Sequence, residues 1–310
     1  MAAASKTGDV SVFGLRESVY DYKMVKLELS ASCNARCIFC PMFRSEMKPR
    51  GFLAYSDAER FADMNADWFN VCKLAVEPFF NGESLLNPNV YDIIDLIVAR
   101  SIRLGDLDTN LGLVTDISRL ARYAWRSITV NIGGLTAETH VSVMGTDFGL
   151  VMANLKRLLS ESDGKFPIYV KMNPTRENIK QIPRLSWFCA QMGGGLRWKD
   201  QQTGIPVPSD CSEVEIREFV RRVYDPQEDR YFRFSPTGDS LAVKNRRCIY
   251  QVPCVCSNGD VTICSHDQLR HLSCGNAFVT PLKDVLESRT YKSYQELGSK
   301  RNLPFCKGCN

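Results

Sequence analysis

From residue 24 to residue 199 the sequence alternates short runs of β-type patterning with longer runs of helical periodicity, and few folds accommodate that alternation. Strands are expected over 24–30, 73–79, 102–108, 127–132, 168–172 and 196–199. The first sets Val25, Leu27 and Leu29 against Lys26 and Glu28. Helices are expected over 56–64, behind the capping start Ser56-Asp57-Ala58-Glu59, and over 89–100, 116–123, 148–159 and 182–192. Strands separated by helices in this way form a parallel sheet with right-handed crossovers, open or curled into a partial barrel. Ligands of such folds gather beyond the carboxyl ends of the strands.

At that position after the first strand stands Cys33-Asn34-Ala35-Arg36-Cys37-Ile38-Phe39-Cys40, closed by Pro41. Its C-x3-C-x2-C spacing suits three irons of a cubane cluster and leaves the fourth open to a small molecule. The competing readings are a zinc site short of one ligand, or cysteines that only pack. The chain of 310 residues holds thirteen cysteines and no charged-then-apolar leader, which argues for metal over disulfides. Cys72 and Cys189, within apolar stretches, read as small core residues. With 44% hydrophobic and 24% charged residues and no apolar run of membrane-spanning length, the chain reads as globular and cytoplasmic. A net charge of +4 is small for this length and points to neither nucleic acid nor membrane lipid.

Four segments are expected: an N-terminal extension (1–23), the barrel (24–203), a connector (204–245) and a Cys-rich C-terminal domain (246–310). Pro206, Pro208, Pro226 and Pro236 mark the connector, with one exposed helix between them. The last segment carries seven cysteines and a hairpin signal, 252–256 and 261–264 around Ser257-Asn258-Gly259-Asp260. So short a segment with little core needs a staple, which a metal supplies.

The cysteine loop, with aromatic Phe39 before its last cysteine, resembles that of the radical S-adenosylmethionine enzymes. The resemblance implies an α/β fold, a partial (β/α)6 TIM-like barrel, and a [4Fe-4S] cluster held by Cys33, Cys37 and Cys40. Asn81-Gly82-Glu83 is similar to the family's Gly-Gly-Glu motif for the methionine amino group, with Asn81 in place of the first glycine. Thr109, Asn110 and Asn131 resemble positions that contact the rest of the cofactor. The residue types suit these roles: Glu83 offers charge to an ammonium, Gly82 a close backbone approach, and Phe39 an apolar face for adenine.

Cys248, Gly259, Cys264, Asp267, Gly275-Asn276 and Cys306-Lys307-Gly308-Cys309 resemble the SPASM extension, or its shortened twitch form, a small β-hairpin/helix domain. This implies one auxiliary [4Fe-4S] cluster on Cys248, Cys264, Cys306 and Cys309, with Cys254 the competitor for one of the terminal pair; a structural zinc is the rival occupant. The resemblance further implies a flavodoxin- or ferredoxin-type electron donor and a 5′-deoxyadenosyl radical that abstracts hydrogen. A sugar or aminocyclitol carbinol carbon is the favoured target, giving a ketone or an epimer as in antibiotic biosynthesis; peptide maturation is the runner-up, and a zinc-binding interaction protein the reading from another class. Lys171 and Arg197, expected to face the cavity, are candidates to act on a bound alcohol, and Cys254 and Cys256 are candidate hydrogen donors. His140, His266 and His271 are isolated in the sequence.

Overall fold

The computed structural model describes residues 24–40, 42, 51–173, 175–198, 224–225, 230–231, 252–265, 267–268, 270–303 and 306. The connector helix expected within 204–245, and Lys199, Cys248, His266 and Cys309, lie outside the described residues.

Strand β1 (Met24–Leu27) pairs in parallel with β2 (Ala75–Glu77), and β2 with β3 (Arg103–Leu104). Strand β4 (Asp106–Thr109) pairs in parallel with β5 (Ser127–Asn131), β5 with β6 (Ile168–Lys171) and β6 with β7 (Arg197–Trp198). The expected strand 102–108 is thus divided at Gly105. The Gly105 N–H still reaches the Val76 carbonyl at 2.7 Å, while its own carbonyl accepts the Arg126 N–H at 3.2 Å. The chain changes partners there, and a Cβ would lie 2.7 Å from Glu77 Cγ. Taken through this break, the strands follow one another in sequence order, the topology of the expected partial barrel.

Helices α1 (Tyr55–Cys72), α2 (Val90–Ala99), α3 (Ile117–Arg122), α4 (Ala137–Met144), α5 (Phe148–Ser162) and α6 (Leu185–Met192) connect the strands. Helix α1 runs on to Cys72, past the expected stop at 64, because Asn65 is buried and used: its Nδ2 donates to the Phe61 carbonyl. Phe69, farther along the same face, packs edge-on against Phe61 with ring centroids 6.0 Å apart. Helix α4 was not anticipated. It buries only His140, Val143 and Met144, too few for a periodic signal, and is delimited by the Thr136 cap and left-handed Gly145.

The sheet has two unlike faces. Leu27, Val76, Leu107, Ile128, Val130, Ile168 and Val170 share one core with the helical residues Phe61, Ile93, Leu120 and Leu155. Burying each such side chain contributes about 1.5–3 kcal/mol. On the other face the registers set Lys26 beside Glu77, Asp108 beside Thr129, and Asn131 beside Lys171. The inside of the barrel is therefore polar.

Beyond the barrel, β8 (Tyr224–Asp225) and β9 (Arg230–Tyr231) make a separate antiparallel pair. In the C-terminal part, β10 (Cys254–Val255) and β11 (Val261–Thr262) form the expected hairpin. Strand β10 also pairs in parallel with β1, Lys26 opposite Cys254, so the hairpin extends the barrel sheet. Two helices follow, α7 (Leu282–Glu287) and α8 (Arg289–Ser299). The Leu282 N–H donates to Asn65 on α1 at 2.8 Å, a second tie to the barrel. No helix among the described residues is long and apolar enough to cross a membrane.

Candidate active site

Strand β1 delivers the chain directly into the cysteine loop, which is pinned from both sides. The Arg36 and Ile38 N–H groups donate to the Met144 and Val143 carbonyls at the end of α4, at 2.7 and 3.0 Å. On the opposite flank Asn34 Nδ2 donates to the Gly112 carbonyl at 2.9 Å. Asn110 Nδ2 in turn donates to Asn34 Oδ1 at 2.9 Å and approaches Cys33 Sγ at 3.8 Å. The loop is thus fixed by segments following β4 and β5, at the carboxyl end of the sheet.

Burial, and then the charges of Cys33 and Cys40, push the Cys37 thiol up to about 12. Cys33 goes up to about 11, through burial foremost and then the charges of Glu83 and Cys40, against the Ala35 N–H that it accepts. A cation beside Cys33 and Cys37 would oppose both upward shifts and favour their thiolates. Iron–sulfur cluster iron supplies that charge, and the all-sulfur donor set fits it. Among the described residues no three such side chains close around a single metal ion.

Gly82 and Glu83 seat the neighbouring loop on this one. Gly82 has φ +69°, and a Cβ there would lie 2.5 Å from the Ser32 carbonyl oxygen and closer still to that of Ser30. Only glycine allows the approach. Glu83 donates its N–H to the Ser32 carbonyl at 2.8 Å. Its carboxylate, fully enclosed, accepts from Thr109 Oγ1 at 2.8 Å, Asn110 N at 2.7 Å and Leu85 N at 3.2 Å. Burial pushes Glu83 above the usual carboxylate range, and those hydrogen bonds oppose the shift. A carboxylate has about four acceptor positions, so one is left for an ammonium donor. Asn131 Nδ2 donates to the Thr109 carbonyl at 3.2 Å, and Phe39 is half-buried on the cysteine loop. The structure therefore brings Cys33, Glu83, Thr109, Asn110 and Asn131 into one hydrogen-bonded group, with Gly82 packed beside it against Ser30 and Ser32. Asn81, the departure from the family motif, is buried and donates to the Gln268 carbonyl at 3.3 Å.

Of the remaining candidates, Lys171 is buried in the barrel and donates to Asp108 Oδ2 at 2.6 Å, whereas Arg197, opposite Tyr169 on the outermost strand, is exposed. Lys26 bonds Glu77 at 3.1 Å, and Arg126 joins Glu77 to Asp106. Cys254 and Cys256 are fully buried at the hairpin. Burial pushes Cys254 well up, with Lys26 opposing and the charges of Cys256 and Cys264 adding to it. Cys306 is half-buried. Sequence reasoning assigned no separate role to Cys274, yet it is buried against the same core, and the charges of Cys274, Cys254 and Cys264 all act on Tyr291 of α8. Their common signal was Cys-rich composition alone.

Residues 248–310 match the model of the SPASM family, described as an iron–sulfur cluster-binding domain. The chain is 25% identical over 175 residues to an AdoMet-dependent heme synthase of Methanosarcina barkeri, covering 55% of this chain and 48% of that protein. It is 26% identical over 186 residues to a tungsten-containing aldehyde ferredoxin oxidoreductase cofactor-modifying protein of Pyrococcus furiosus, covering 55% and 49%. The chain thus spans about half the length of the curated relatives it matches. Its fold is similar to that of Streptococcus suis SuiB bound to S-adenosylmethionine, with TM-score 0.61, 17% identity and coverage of 89% of this chain and 68% of SuiB. It is also similar to anSMEcpe with bound AdoMet, with TM-score 0.62, 16% identity and coverage of 89% and 84%. BtrN in complex with AdoMet and 2-DOIA gives TM-score 0.51 and 13% identity over 92% of both chains. The SPASM match at the C-terminus, the AdoMet-dependent relative and the fold shared with structures solved with bound S-adenosylmethionine together support a radical S-adenosylmethionine enzyme with a SPASM domain, served by S-adenosylmethionine, a [4Fe-4S] cluster at its site and an auxiliary iron–sulfur cluster.

Proposed function

We propose that this chain is an oxidoreductase that removes hydrogen from a carbinol carbon of a sugar or aminocyclitol, giving a ketone or an epimer. When bound, the S-adenosylmethionine and its cluster supply one-electron cleavage and a hydrogen-abstracting radical. Cys33, Cys37 and Cys40 hold the cluster, while Glu83, set by Thr109 and Asn110, takes the methionine ammonium. Gly82 lets that loop close onto the cysteine loop, and Phe39 covers the adenine.

The observation that carries the substrate class is the polar barrel interior. Lys26, Glu77, Asp108, Thr129, Asn131 and Lys171 stand side by side there, and Thr129 Oγ1 is buried without a hydrogen-bond partner among the described residues. Such a lining binds hydroxyl and amino groups and not an apolar side chain. In this reading Lys171, held by Asp108, stabilises a developing alkoxide. Cys248, Cys264, Cys306 and Cys309 hold the auxiliary cluster, with Cys254 an alternative ligand; a cysteine of the pair Cys254 and Cys256 left unligated is a hydrogen donor for epimerisation. The likeness to BtrN, solved with 2-DOIA, supports the same reading.

Peptide modification is the second reading, favoured by the higher TM-scores to SuiB and anSMEcpe, both also solved with peptides. The discriminating experiment incubates the anaerobically reconstituted protein with S-adenosylmethionine, reductant and matched panels of aminocyclitols and peptides. Substrate-dependent 5′-deoxyadenosine with a product two mass units lighter, or with solvent deuterium at carbon, is expected from the first panel. Turnover of peptides alone would overturn the proposal.

A further inference from the structure

Two long-range contacts join the cofactor loops to one short segment between Cys264 and Cys274. Asp267, fully buried, is its organising residue. Its carboxylate accepts the His271 N–H at 2.8 Å, His271 Nδ1 at 2.9 Å and the Leu272 N–H at 3.0 Å, while its own N–H donates to the Cys264 carbonyl at 3.0 Å. This compact turn puts Arg270 in the left-handed region, φ +56°, a conformation that side-chain-bearing residues rarely adopt. From there Arg270 reaches Glu28, the residue that follows β1 on the way to the cysteine loop, and forms a buried ion pair with it.

Glu28 also accepts the Ser257 N–H of the hairpin turn at 2.9 Å. Gln268 provides the second contact, accepting Asn81 Nδ2 through its carbonyl. Glu28 Oε1 and Arg270 Nε are both buried without a partner among the described residues, so the ion pair keeps unused polar capacity where the two halves meet.

We propose that Asp267, Gln268, Arg270 and His271 form a clasp belonging to the S-adenosylmethionine site: through Glu28 and Asn81 they position the two loops that receive the cofactor. Occupancy of the site and order of the clasp are then linked, and by reciprocity each strengthens the other. The proposal rests on the reading that the cofactor lies between the cysteine loop and residues 81–83. It makes Asp267 a positioning residue, acting on the site only through its neighbours in the turn.

The test uses the full chain with both clusters reconstituted, with S-adenosylmethionine itself as the probe. Amide exchange over 267–272 is expected to slow when the cofactor is added to the wild type. Asp267→Asn and Glu28→Gln are each expected to weaken cofactor binding about fivefold or more and to abolish that protection, at unchanged iron content. Glu28→Gln keeps the side-chain shape and serves if Asp267→Asn does not fold. Unchanged affinity and protection in the variants, beside a wild type that binds, would overturn the clasp alone. A reconstituted wild type that binds no S-adenosylmethionine would overturn the site reading together with the clasp.

Discussion

Replacing Gly82 by alanine tests how the two cofactor loops fit together. The new methyl group would meet the Ser32 carbonyl oxygen at 2.5 Å and that of Ser30 at still closer range, where real Cβ contacts stay beyond 3.0 Å. Both obstacles are backbone, so no rotamer relieves them. The left-handed φ alone costs about 1–2 kcal/mol. Moving the loop away by roughly half an ångström also strains the Glu83 N–H bond to Ser32, worth about 1 kcal/mol, and the contact that remains brings the total to roughly 3–4 kcal/mol. Gly164 supplies the control: φ is +70° and nothing lies within 4 Å of its Cβ position, so Gly164→Ala carries only the backbone cost. In thermal unfolding of the reconstituted protein, Gly82→Ala should fall further than Gly164→Ala by about 4 °C or more, at roughly 2 °C per kcal/mol for a chain of this size. Binding of S-adenosylmethionine should weaken at least about tenfold, since Glu83 moves with the loop. Equal melting temperatures and equal affinities in the two variants would refute the reasoning.

Cys37→Ala should remove the iron of the first cluster and all 5′-deoxyadenosine formation, read by iron content and chromatography; retained activity would contradict the ligand role. Lys171→Met should suppress substrate-dependent turnover while the slow substrate-free cleavage of S-adenosylmethionine persists; loss of both would place Lys171 in cofactor binding instead. Cys254→Ala and Cys256→Ala divide the thiols of the hairpin: loss of auxiliary iron by electron paramagnetic resonance marks a ligand, whereas intact clusters with loss of epimer alone mark a hydrogen donor. His140 gives a pH dependence. It is fully buried, its Nδ1 accepting from the Gly133 N–H at 3.1 Å and its Nε2 lying 2.8 Å from Thr146 Oγ1, and burial pushes its pKa below the usual value. The unfolded chain therefore takes up this proton first. The contribution is present above the ordinary histidine range and is lost as pH falls through the folded value. His140→Gln should flatten that part of the stability profile.

Much of the barrel was legible because its strands are buried on the helix side by regularly spaced apolar residues, as with Ile128, Val130, Ile168 and Val170. Where tertiary contacts replaced local pattern, legibility ended. Asn65 reads as lying beyond the expected helix end at 64 until its amide is seen bonded on both sides, and Gly105 passes as the interior of the expected strand 102–108 until its N–H and carbonyl are traced to different neighbours, Val76 and Arg126. The cysteine spacing pointed to the loop, and the family resemblance, read along successive strand ends, pointed to Glu83, Thr109 and Asn110. The contacts from Asn81 and Glu28 to residues 187 and 242 positions away had no local signature.

The parallel pairing of β10 with β1 is what makes one molecule of these two halves. Adjacent strands lie about 4.8 Å apart, so the hairpin thiols and the approach to the cysteine loop share a support one strand wide. Lys26 faces Cys254 across that pairing, and Glu28, farther along the same segment, binds both the hairpin turn and Arg270. A substrate held in the polar interior, as proposed above, would be bordered on this side by β1, with the cysteine loop at its end and the hairpin cysteines beside it. Electron removal from the substrate and hydrogen return to it are alternatives that the same wall can serve. Under the proposed function the choice would turn on whether a hairpin thiol stays free of iron, and that makes the Cys254 and Cys256 variants the decisive pair for separating dehydrogenation from epimerisation.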